Sequence, residues 1–271
     1  MKITFIGGGN MANALIGGLL RRGFASTEMR VVEINPDARV RLQQKYGVDC
    51  MGQAAPARED EVILFAVKPQ QIREAALASG LSANANLVIS IAAGITLGSL
   101  SRWLGAHRRL VRAMPNTPAL IGEGVTGLCA LEGAALAQDD RIRVESILCA
   151  VGSTVWIEHE AEMDAVTAVS GSGPAYVFYF IEAVEQAARQ LGLPAETARK
   201  LALETFTGAA RLAAASADPI AVLRERVTSK GGTTEAALAS MSADRIREAI
   251  IRAIVAANQR GRELGAQLDQ D

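Results

Sequence analysis

Residues 1–159 alternate between short apolar runs and longer segments in which apolar positions have helical spacing. The short runs are rich in branched and aromatic residues, which is typical of buried strands. They lie around Ile3, Phe5 and Ile6, and at Met29–Glu33, Glu61–Val67, Leu87–Ile91, Arg109–Met114, Thr126–Ala130 and Thr154–Ile157. Helices are predicted to end at Gly23 and to span Gln70–Ser79, Thr96–Leu104 and Arg141–Ala150. A further helix is predicted to begin at Pro36, with Asn35 as its N-cap, and to run to about Tyr46, where Gly47 ends it. This alternation predicts a parallel sheet with helices on both faces.

The pattern changes at about Glu160, after which strand signals stop. Apolar positions from Ala161 to Leu191 follow helical spacing, with an interruption at Ser170–Tyr176, and the rest of the chain is also typical of helices. The predicted fold class is therefore α/β followed by all-α. We expect residues 1–159 to form a doubly wound parallel sheet of the Rossmann type, and residues 160–271 to form a helical domain.

One helical stretch has no polar face. Residues 177–181 are apolar on every side, and such a helix must be buried all round. The helical domain is too small to cover this stretch alone, so the neighbour is expected to be a second subunit. A second apolar stripe is formed by Ile246, Ile250, Ile254 and Ala257. An interlocked homodimer is therefore the smallest assembly that we expect.

Composition narrows the classes of partner. Of the 271 residues, 49% are hydrophobic and 21% charged, and the net charge is −1, which gives no electrostatic reason to expect nucleic acid. A small molecule is the expected partner. The chain has no apolar run long enough to span a bilayer, and its N-terminus lacks the features of a signal peptide. We therefore expect a cytoplasmic protein that does not bind membranes.

The cysteines and histidines offer little chemistry. Cys50, Cys129 and Cys149 are odd in number and lack metal-binding spacing, so reduced structural thiols and no metal site are expected. His107 and His159 lie among charged or polar neighbours. Both are predicted to be surface residues rather than proton relays.

Three consecutive glycines follow the first predicted strand. Gly7, Gly9 and Ala12 have the spacing G-x-G-x-x-(G/A), in which small residues let a dinucleotide pyrophosphate approach the backbone. The helix that follows directs its unpaired amides at that phosphate. Glu33, at the end of the second strand, lies where a ribose partner is expected. The alternative is a glycine-rich turn that binds no ligand.

Other predicted strands also end in turns of small, proline or amide residues. These turns contain Lys68-Pro69, Ala92–Gly94 and Pro115–Pro118. Loop chemistry alone explains any single turn. Because ligands of open α/β sheets lie at the carboxyl ends of the strands, the set of turns predicts a site on one sheet edge.

A second polar segment, Val227–Leu238, opens directly into a helix. The amides of Gly231, Gly232 and Thr233, with the positive end of that helix, suit a carboxylate. Ser229 and Thr234 add hydroxyl donors. The alternative is an elaborate helix cap.

Motifs in both halves of the chain resemble those of the pyrroline-5-carboxylate reductases: GGGNMA, AVKPQ, SIAAG, RAMPNTPA, GSGPAYVF and VTSKGGTTEAAL. They occur in the order and spacing of that family and cover nearly the whole chain, and the last motif is specific to it. The resemblance implies an oxidoreductase that reduces 1-pyrroline-5-carboxylate to L-proline with NADPH or NADH, the last step of proline biosynthesis. It also implies a helical C-terminal dimerisation domain and further assembly into decamers.

The resemblance also implies roles for individual residues. The pyrophosphate would be held by Ile6, Gly7, Gly8, Gly9, Asn10 and Met11. The cofactor ribose and nicotinamide would be lined by Ala66, Val67, Lys68, Pro69, Ile91, Ala92 and Ala93, and the ring would contact Met114 and Pro115. The substrate would lie across the dimer interface, with its carboxylate on Ser229, Gly231, Gly232 and Thr233. Thr234 would be the catalytic residue, with its hydroxyl on the ring nitrogen. Hydride addition to a C=N bond needs a donor at nitrogen and no strong base.

Two positions depart from the family pattern. Lys230 replaces a proline of many relatives, and it either adds charge near the carboxylate or points to solvent. Glu33 favours the bare ribose of NADH and would repel the 2′-phosphate of NADPH, whereas Asn35 and Arg39 could accept that phosphate. The cofactor preference is therefore open between NADPH and NADH.

Two other functions compete with this interpretation. A hydroxyacid dehydrogenase of the 6-phosphogluconate type would carry a catalytic lysine on its interdomain helix, and GSGPAYVFYF has none. A non-catalytic dinucleotide sensor would use the helical domain only for assembly, which leaves the SKGGTT loop unexplained.

Overall fold

Eight strands form one sheet in the first part of the chain. The computed structural model describes residues 1–54, 56–58, 60–81, 86–134 and 136–269. The strands are β1 (Ile3–Ile6), β2 (Met29–Val32), β3 (Asp49–Met51), β4 (Val62–Phe65), β5 (Leu87–Ser90), β6 (Leu110–Met114), β7 (Gly124–Ala130) and β8 (Gly152–Trp156). Their order across the sheet is β3-β2-β1-β4-β5-β6-β7-β8, and the first six are parallel to one another. The predicted α/β class is confirmed.

The last two strands run in the opposite direction. β7 pairs antiparallel with β6, and β8 pairs parallel with β7. Only residues 115–123 connect β6 to β7, which is too short for a helical crossover, so the chain turns back beside itself. The sheet is therefore mostly parallel, with a reversed pair at one edge that the sequence pattern does not predict.

Eleven helices follow the strands or build the C-terminal region in the described residues. They are α1 (Asn10–Arg21), α2 (Pro36–Tyr46), α3 (Ile72–Ala78), α4 (Leu97–Trp103), α5 (Gln138–Leu148), α6 (Met163–Val166), α7 (Gly173–Gln190), α8 (Ala195–Ala215), α9 (Ile220–Arg226), α10 (Thr233–Ala243) and α11 (Ile246–Asp269). The predicted caps of α2 are confirmed: Asn35 accepts a hydrogen bond from the Ala38 amide at 3.0 Å, Pro36 begins the helix, and Gly47 ends it with φ 66°.

The strands bury alternate residues in two separate clusters, one on each face of the sheet. In β4, Val62 and Leu64 belong to the cluster that contains the apolar residues of α1, whereas Ile63 and Phe65 belong to the cluster with α3 and α4. Side chains of a strand alternate between faces, so both faces must be covered when every position is apolar. Helices on both sides of the sheet follow from this pattern.

A buried carboxylate ties the amino ends of the central strands together. Glu61 is fully buried, and it accepts hydrogen bonds from the Thr4 hydroxyl at 2.5 Å, from the Arg30 guanidinium at 2.7 Å and from Arg58. Burial alone would raise the pKa of Glu61, but these hydrogen bonds outweigh it and hold the pKa below its ordinary value. The Asn86 side chain donates to the Glu61 carbonyl oxygen at 2.8 Å and extends the network to β5.

His107 belongs to the same edge of the sheet. Its prediction as a surface residue is wrong, because the side chain is buried and its Nε2 lies 2.8 Å from the Asn86 carbonyl oxygen. Burial lowers the pKa of His107, and the charge of Arg109 lowers it further, whereas the contact with Asn86 opposes both. A polar sequence neighbourhood does not reveal that tertiary contacts cover the ring. The prediction for His159 is confirmed, because its side chain is 68% exposed.

The described chain separates into two compact units. The first comprises residues 1–172 with 257–271 and contains the whole sheet, and the second comprises residues 173–256. In the second unit α7 packs against α8, and only Ala198 and Ala202 are buried. Phe178 is 64% exposed and Tyr179 is 70% exposed in the single chain. No helix in the described ranges has the length and apolar character needed to cross a membrane.

Candidate active site

The glycine turn between β1 and α1 forms an open cradle. Gly7 has φ 102°, and a Cβ there would lie 2.8 Å from the carbonyl oxygen of Ala66, so the position requires glycine. A Cβ on Gly9 would meet nothing within 4 Å. Gly9 is the N-cap of α1, and no side chain caps that helix. No side chain therefore caps the first amides of α1, which are available to a phosphate.

Two polar side chains hold this turn in place. The Glu33 carboxylate accepts hydrogen bonds from the Gly8 amide at 2.9 Å and from the Asn35 amide at 2.8 Å. The Asn13 side chain donates to the carbonyl oxygens of Gly8 and Gly9 at 2.9 and 3.0 Å. The glycines are thus fixed from both β2 and α1. The sequence does not predict a role for Asn13, because this residue lies outside the glycine motif and acts only through hydrogen bonds to the turn beside it.

The three residues predicted at the adenosine ribose lie together. Glu33 and Asn35 are joined by the hydrogen bond just described, and Arg39 Nη1 donates to the carbonyl oxygens of Glu33 and Ile34 at 2.7 and 3.0 Å. The end of β2 therefore presents a carboxylate and a guanidinium side by side. Neither group alone decides whether a ribose hydroxyl or a 2′-phosphate binds there.

The turns after β4 and β5 lie beside the glycine turn. The Ala66 amide donates to the Ile6 carbonyl at 2.8 Å and the Ile91 amide to the Phe65 carbonyl at 3.1 Å, so the ladder continues past the strand ends. Val67 contacts the position of a Gly7 Cβ at 2.9 Å. The residues predicted to line the ribose and nicotinamide share this edge with the cradle: Ala66, Val67, Lys68, Pro69, Ile91, Ala92 and Ala93.

The turn after β6 completes the edge and contacts a π-helix, Thr167–Gly171. A Cβ on Gly171 would lie 2.6 Å from Met114 Cε, so this glycine allows the close contact. Asn116 donates from Nδ2 to the Ser170 carbonyl oxygen at 3.3 Å and accepts from the Val125 amide at 3.0 Å. Asn116 lies in the RAMPNTPA motif and Ser170 directly precedes GSGPAYVF, but their contact joins positions 54 residues apart and no local pattern reveals it.

The residues present fit a dinucleotide. An open, uncapped helix N-terminus faces the glycine cradle, and a carboxylate stands at the end of the neighbouring strand. The turns of β4, β5 and β6 lie on the same edge of the sheet. This is the arrangement in which doubly wound sheets bind such ligands, with the pyrophosphate on the helix and the ribose on the acid.

The polar loop predicted to bind the substrate lies in the helical unit. Gly232 is the N-cap of α10, whose first two residues are Thr233 and Thr234, and no side chain caps this helix. The Gly232 amide donates to the Ser229 carbonyl oxygen at 3.0 Å, and the Gly231 amide donates to the Glu235 carboxylate at 2.7 Å. The amides of Gly231 and Gly232 are therefore engaged within the loop, and those of Thr233 and Thr234 point out of the helix end.

The remaining reactive groups have other surroundings. The described residues contain no cluster of three or more histidine, cysteine, aspartate or glutamate side chains that could hold a metal ion. All three cysteines are free thiols. Burial, with the nearby charge of Glu160, raises the pKa of Cys129 to about 11, so this thiol stays protonated at neutral pH.

The sheet, the glycine cradle and the acidic end of β2 are those of a dinucleotide-binding protein of the Rossmann class. A family model described as "NADP oxidoreductase coenzyme F420-dependent" matches residues 2–94, and one described as "Pyrroline-5-carboxylate reductase dimerisation" matches residues 160–264. The pyrroline-5-carboxylate reductase of Pseudomonas aeruginosa is 44% identical over 99% of this chain and 98% of its own. The chain belongs to the pyrroline-5-carboxylate reductase family.

Solved structures of that family have the same fold. The pyrroline-5-carboxylate reductase of Coxiella burnetii aligns with a TM-score of 0.88 at 40% identity, covering 97% of this chain and 98% of the other. The Plasmodium falciparum enzyme, solved with NADP bound, aligns with a TM-score of 0.83 at 28% identity, covering 98% of both chains. The similarity therefore includes the sheet and the helical region together.

Proposed function

We propose that the chain reduces 1-pyrroline-5-carboxylate to L-proline with a hydride from NADPH or NADH, in the last step of proline biosynthesis. The observation that carries this function is the 44% identity to a pyrroline-5-carboxylate reductase over essentially the full length of both chains. The cradle and the polar loop before α10, which the reaction needs, both lie within that length.

The cofactor residues of the proposal are those on the carboxyl edge of the sheet. The pyrophosphate rests on the glycine cradle and the first turn of α1, and the turns after β4, β5 and β6 line the ribose and nicotinamide. The P. falciparum enzyme, solved with NADP bound, supports a nicotinamide dinucleotide as the cofactor. When bound, the dinucleotide supplies the hydride that reduces the carbon of the C=N bond.

The polar loop of the helical unit binds and orients the substrate. The hydroxyl of Ser229 and the exposed amides at the start of α10 hold the carboxylate, where the positive end of the helix favours an anion. The Thr234 hydroxyl is placed at the ring nitrogen and stabilises it as the double bond is lost. Thr234 is the proposed catalytic residue, and no strong base is required.

Glu235 sets a condition on this site. Its carboxylate already accepts a hydrogen bond from the Gly231 amide of the loop. A substrate carboxylate that uses the same amide must displace Glu235 or bind beside it, at the amides of Thr233 and Thr234. The charge of Lys230, which is exposed on the same loop, is available to offset the acid in the second case.

The assembly follows from the helical region. The domain 160–271 is proposed to form the dimer, and 1–159 to bind the cofactor. The family model described as a dimerisation domain spans 160–264, and the exposed Phe178 and Tyr179 offer apolar surface for a partner. Association of dimers into a decamer and a cytoplasmic location complete the proposal.

One assay separates the proposed function from its competitors. The purified protein is mixed with NADPH or NADH and with 1-pyrroline-5-carboxylate, and nicotinamide absorbance is followed. Loss of absorbance that depends on the imine supports the reductase. A protein that oxidises hydroxyacids with NADP instead is the dehydrogenase, and one that binds NADH without turnover of either substrate is the sensor.

A further inference from the structure

We propose that Asn116 is a positioning residue for the nicotinamide: it ties the turn after β6 to the π-helix and so fixes Met114 and Pro115. This inference rests on the proposed function, in which that turn contacts the nicotinamide ring. It concerns a residue outside the cofactor and substrate contacts described above.

The amide of Asn116 is used at both ends. Its Oδ1 accepts a hydrogen bond from the Val125 amide at 3.0 Å, which closes the turn between β6 and β7. Its Nδ2 donates to the Ser170 carbonyl oxygen at 3.3 Å and lies 3.5 Å from the Ser170 hydroxyl. Because one end needs an acceptor and the other a donor, only an amide of this length satisfies both.

The Ser170 carbonyl lacks the backbone donor of a regular helix. In a regular helix this oxygen would accept from the amide four residues later, but position 174 is proline, which has no N–H. The local turn is a π-helix, in which the Ser172 amide donates to the Thr167 carbonyl oxygen at 2.8 Å. Asn116 supplies the donor that Pro174 cannot.

Two further contacts hold the same surfaces together. Met114 reaches Gly171 so closely that a side chain there would overlap its methyl group, as described above. One turn earlier, Val166 Cγ1 lies 2.6 Å from the position of a Cβ on Gly127 of β7. Small residues therefore allow the π-helix and the residue before it to pack closely against β6 and β7. Asn116 makes a polar contact at the end of the π-helix nearest to the turn after β6. π-turns of this kind are frequent at functional sites.

The consequence for binding is specific to one part of the cofactor. The pyrophosphate cradle lies at β1 and α1, whereas the Asn116 side chain bonds to Val125 and Ser170. Loss of the hydrogen bond from Asn116 to Ser170 should therefore weaken binding of the nicotinamide and leave binding of the adenosine and pyrophosphate unchanged. ADP-ribose contains the adenosine and the pyrophosphate but no nicotinamide. Comparing its Kd with the Kd for NADH therefore isolates the contribution of the nicotinamide.

The test is the Asn116→Asp variant, which keeps the acceptor for Val125 and places a carboxylate oxygen against the Ser170 carbonyl. We expect the Kd for NADH, measured by calorimetry, to rise by about tenfold, the size expected for one lost hydrogen bond with mild repulsion, while the Kd for ADP-ribose stays within about twofold. The kcat should fall more than the KM for the imine rises.

Asn13→Asp is the matched control, since Asn13 donates to the glycine turn in the same way. There the Kd for both ligands should rise together. Ser170→Ala keeps the carbonyl oxygen and should bind NADH nearly as the parent does. If Asn116→Asp fails to fold, Asn116→Ser, which removes the donor without adding charge, takes its place.

Two results are decisive against the proposal. A lowered melting temperature with an unchanged ratio of the two Kd values would mean that Asn116 only stabilises the fold. Failure of the unaltered protein to bind NADH, NADPH and ADP-ribose alike would instead overturn the proposed function, and this inference with it.

Discussion

The carboxylate of Glu33 lies beside the glycine turn, held by the amides of Gly8 and Asn35. A negative charge at this position repels a 2′-phosphate, so Glu33→Ser should raise the preference for NADPH over NADH in kcat/KM by about tenfold, the effect of ~1.4 kcal/mol from one charge contact. Kinetics with both cofactors measure the ratio.

Glu33→Gln is the matched control, because its amide oxygen can still accept from Gly8. It should move the ratio in the same direction, with less loss of stability than serine. An unchanged ratio in both variants would mean that the carboxylate faces away from the ribose.

Thr234 is the residue that we propose to act on the substrate. Its hydroxyl should matter more in the transition state than in the bound substrate, because the ring nitrogen changes as hydride arrives. Thr234→Ala should lower kcat by about a hundredfold to a thousandfold, as expected for loss of one preorganised donor, with cofactor affinity nearly unaltered. Steady-state kinetics and cofactor titration measure both quantities.

Two comparisons complete the Thr234 experiment. Thr234→Ser should recover most of the rate, and Ser229→Ala should raise KM more than it lowers kcat, since a carboxylate contact is made equally before and during the reaction. A Thr234→Ala protein that melts earlier but turns over at full rate would show that this threonine serves only the start of α10.

These residues differ in how far sequence alone could place them. The glycine cradle and Glu33 carry local signals, because turn, strand end and helix start are neighbours in the chain. The tie between Asn116 and Ser170 and the burial of His107 depend on segments that meet only when the sheet forms. Long-range contacts of this kind leave no periodic pattern in the sequence from which they could be predicted.

Among the elements, the amino ends of the strands carry two groups with shifted pKa values. Burial lowers the pKa of His107 below its ordinary value of 6.5, so below that pH the unfolded chain takes up a proton that the folded chain resists. Stability should therefore fall as the pH drops below about 6.5, the unfolded-state pKa. His107→Gln should flatten this decline, measured by urea unfolding between pH 7.5 and 5.5.

Glu61 acts in a lower pH range. The pKa of Glu61 is lowered in the folded protein. Its contribution to the free energy of unfolding is therefore present above the ordinary pKa of 4.5 and is lost as the pH falls through the folded-state pKa. The two groups should give two separate declines in stability. An equal decline between pH 7.5 and 5.5 in the parent and His107→Gln would contradict the role of the histidine.

The last helix contains two glycines with different surroundings. A Cβ on Gly261 would lie 3.5 Å from Asp164 Oδ1, an ordinary contact, whereas a Cβ on Gly265 would lie 3.2 Å from the Gly94 carbonyl oxygen. Gly261→Ala should stabilise the protein by about 0.5–1 kcal/mol through helix propensity. Gly265→Ala should lose that gain, because it displaces the turn after β5.

Thermal unfolding of the two variants is the measurement, and the KM for the cofactor should rise only for Gly265→Ala. Equal stabilisation by both substitutions would show that the turn after β5 shifts without cost, and that the contact between Gly265 and Gly94 does not hold this turn in place.

Element order was predictable, and element direction was not. Five of the six parallel strands and the helices between them follow from alternating apolar runs, and the caps of α2 follow from Asn35, Pro36 and Gly47. The sixth parallel strand, β3, is not predicted. β3 is short and begins with an aspartate, so it has no apolar signature. The reversal at β7 results from the short connection between β6 and β7. The length of that connection determines the strand direction only when it is known that β7 pairs with β6.

At the scale of the whole molecule, the helical unit exposes more apolar surface than a monomer usually carries. Phe178, Tyr179 and Val184 are all at least 44% exposed on α7. Sedimentation velocity should therefore show a dimer or a larger assembly. Phe178→Glu should shift it towards smaller species, whereas Leu77→Glu, at an exposed leucine of α3, should leave it unchanged. A folded monomer at all concentrations would contradict the dimer.

The near absence of buried residues in 173–256 has a consequence for how the protein is made. With only two alanines shielded in the single chain, this unit has little driving force to fold by itself, whereas the sheet has two complete cores. Refolding should thus proceed in two phases: a first-order one that yields the sheet, and a second-order one, slower on dilution, in which the helices gain order as chains meet. Newly released chains would bind dinucleotide before they can turn over substrate.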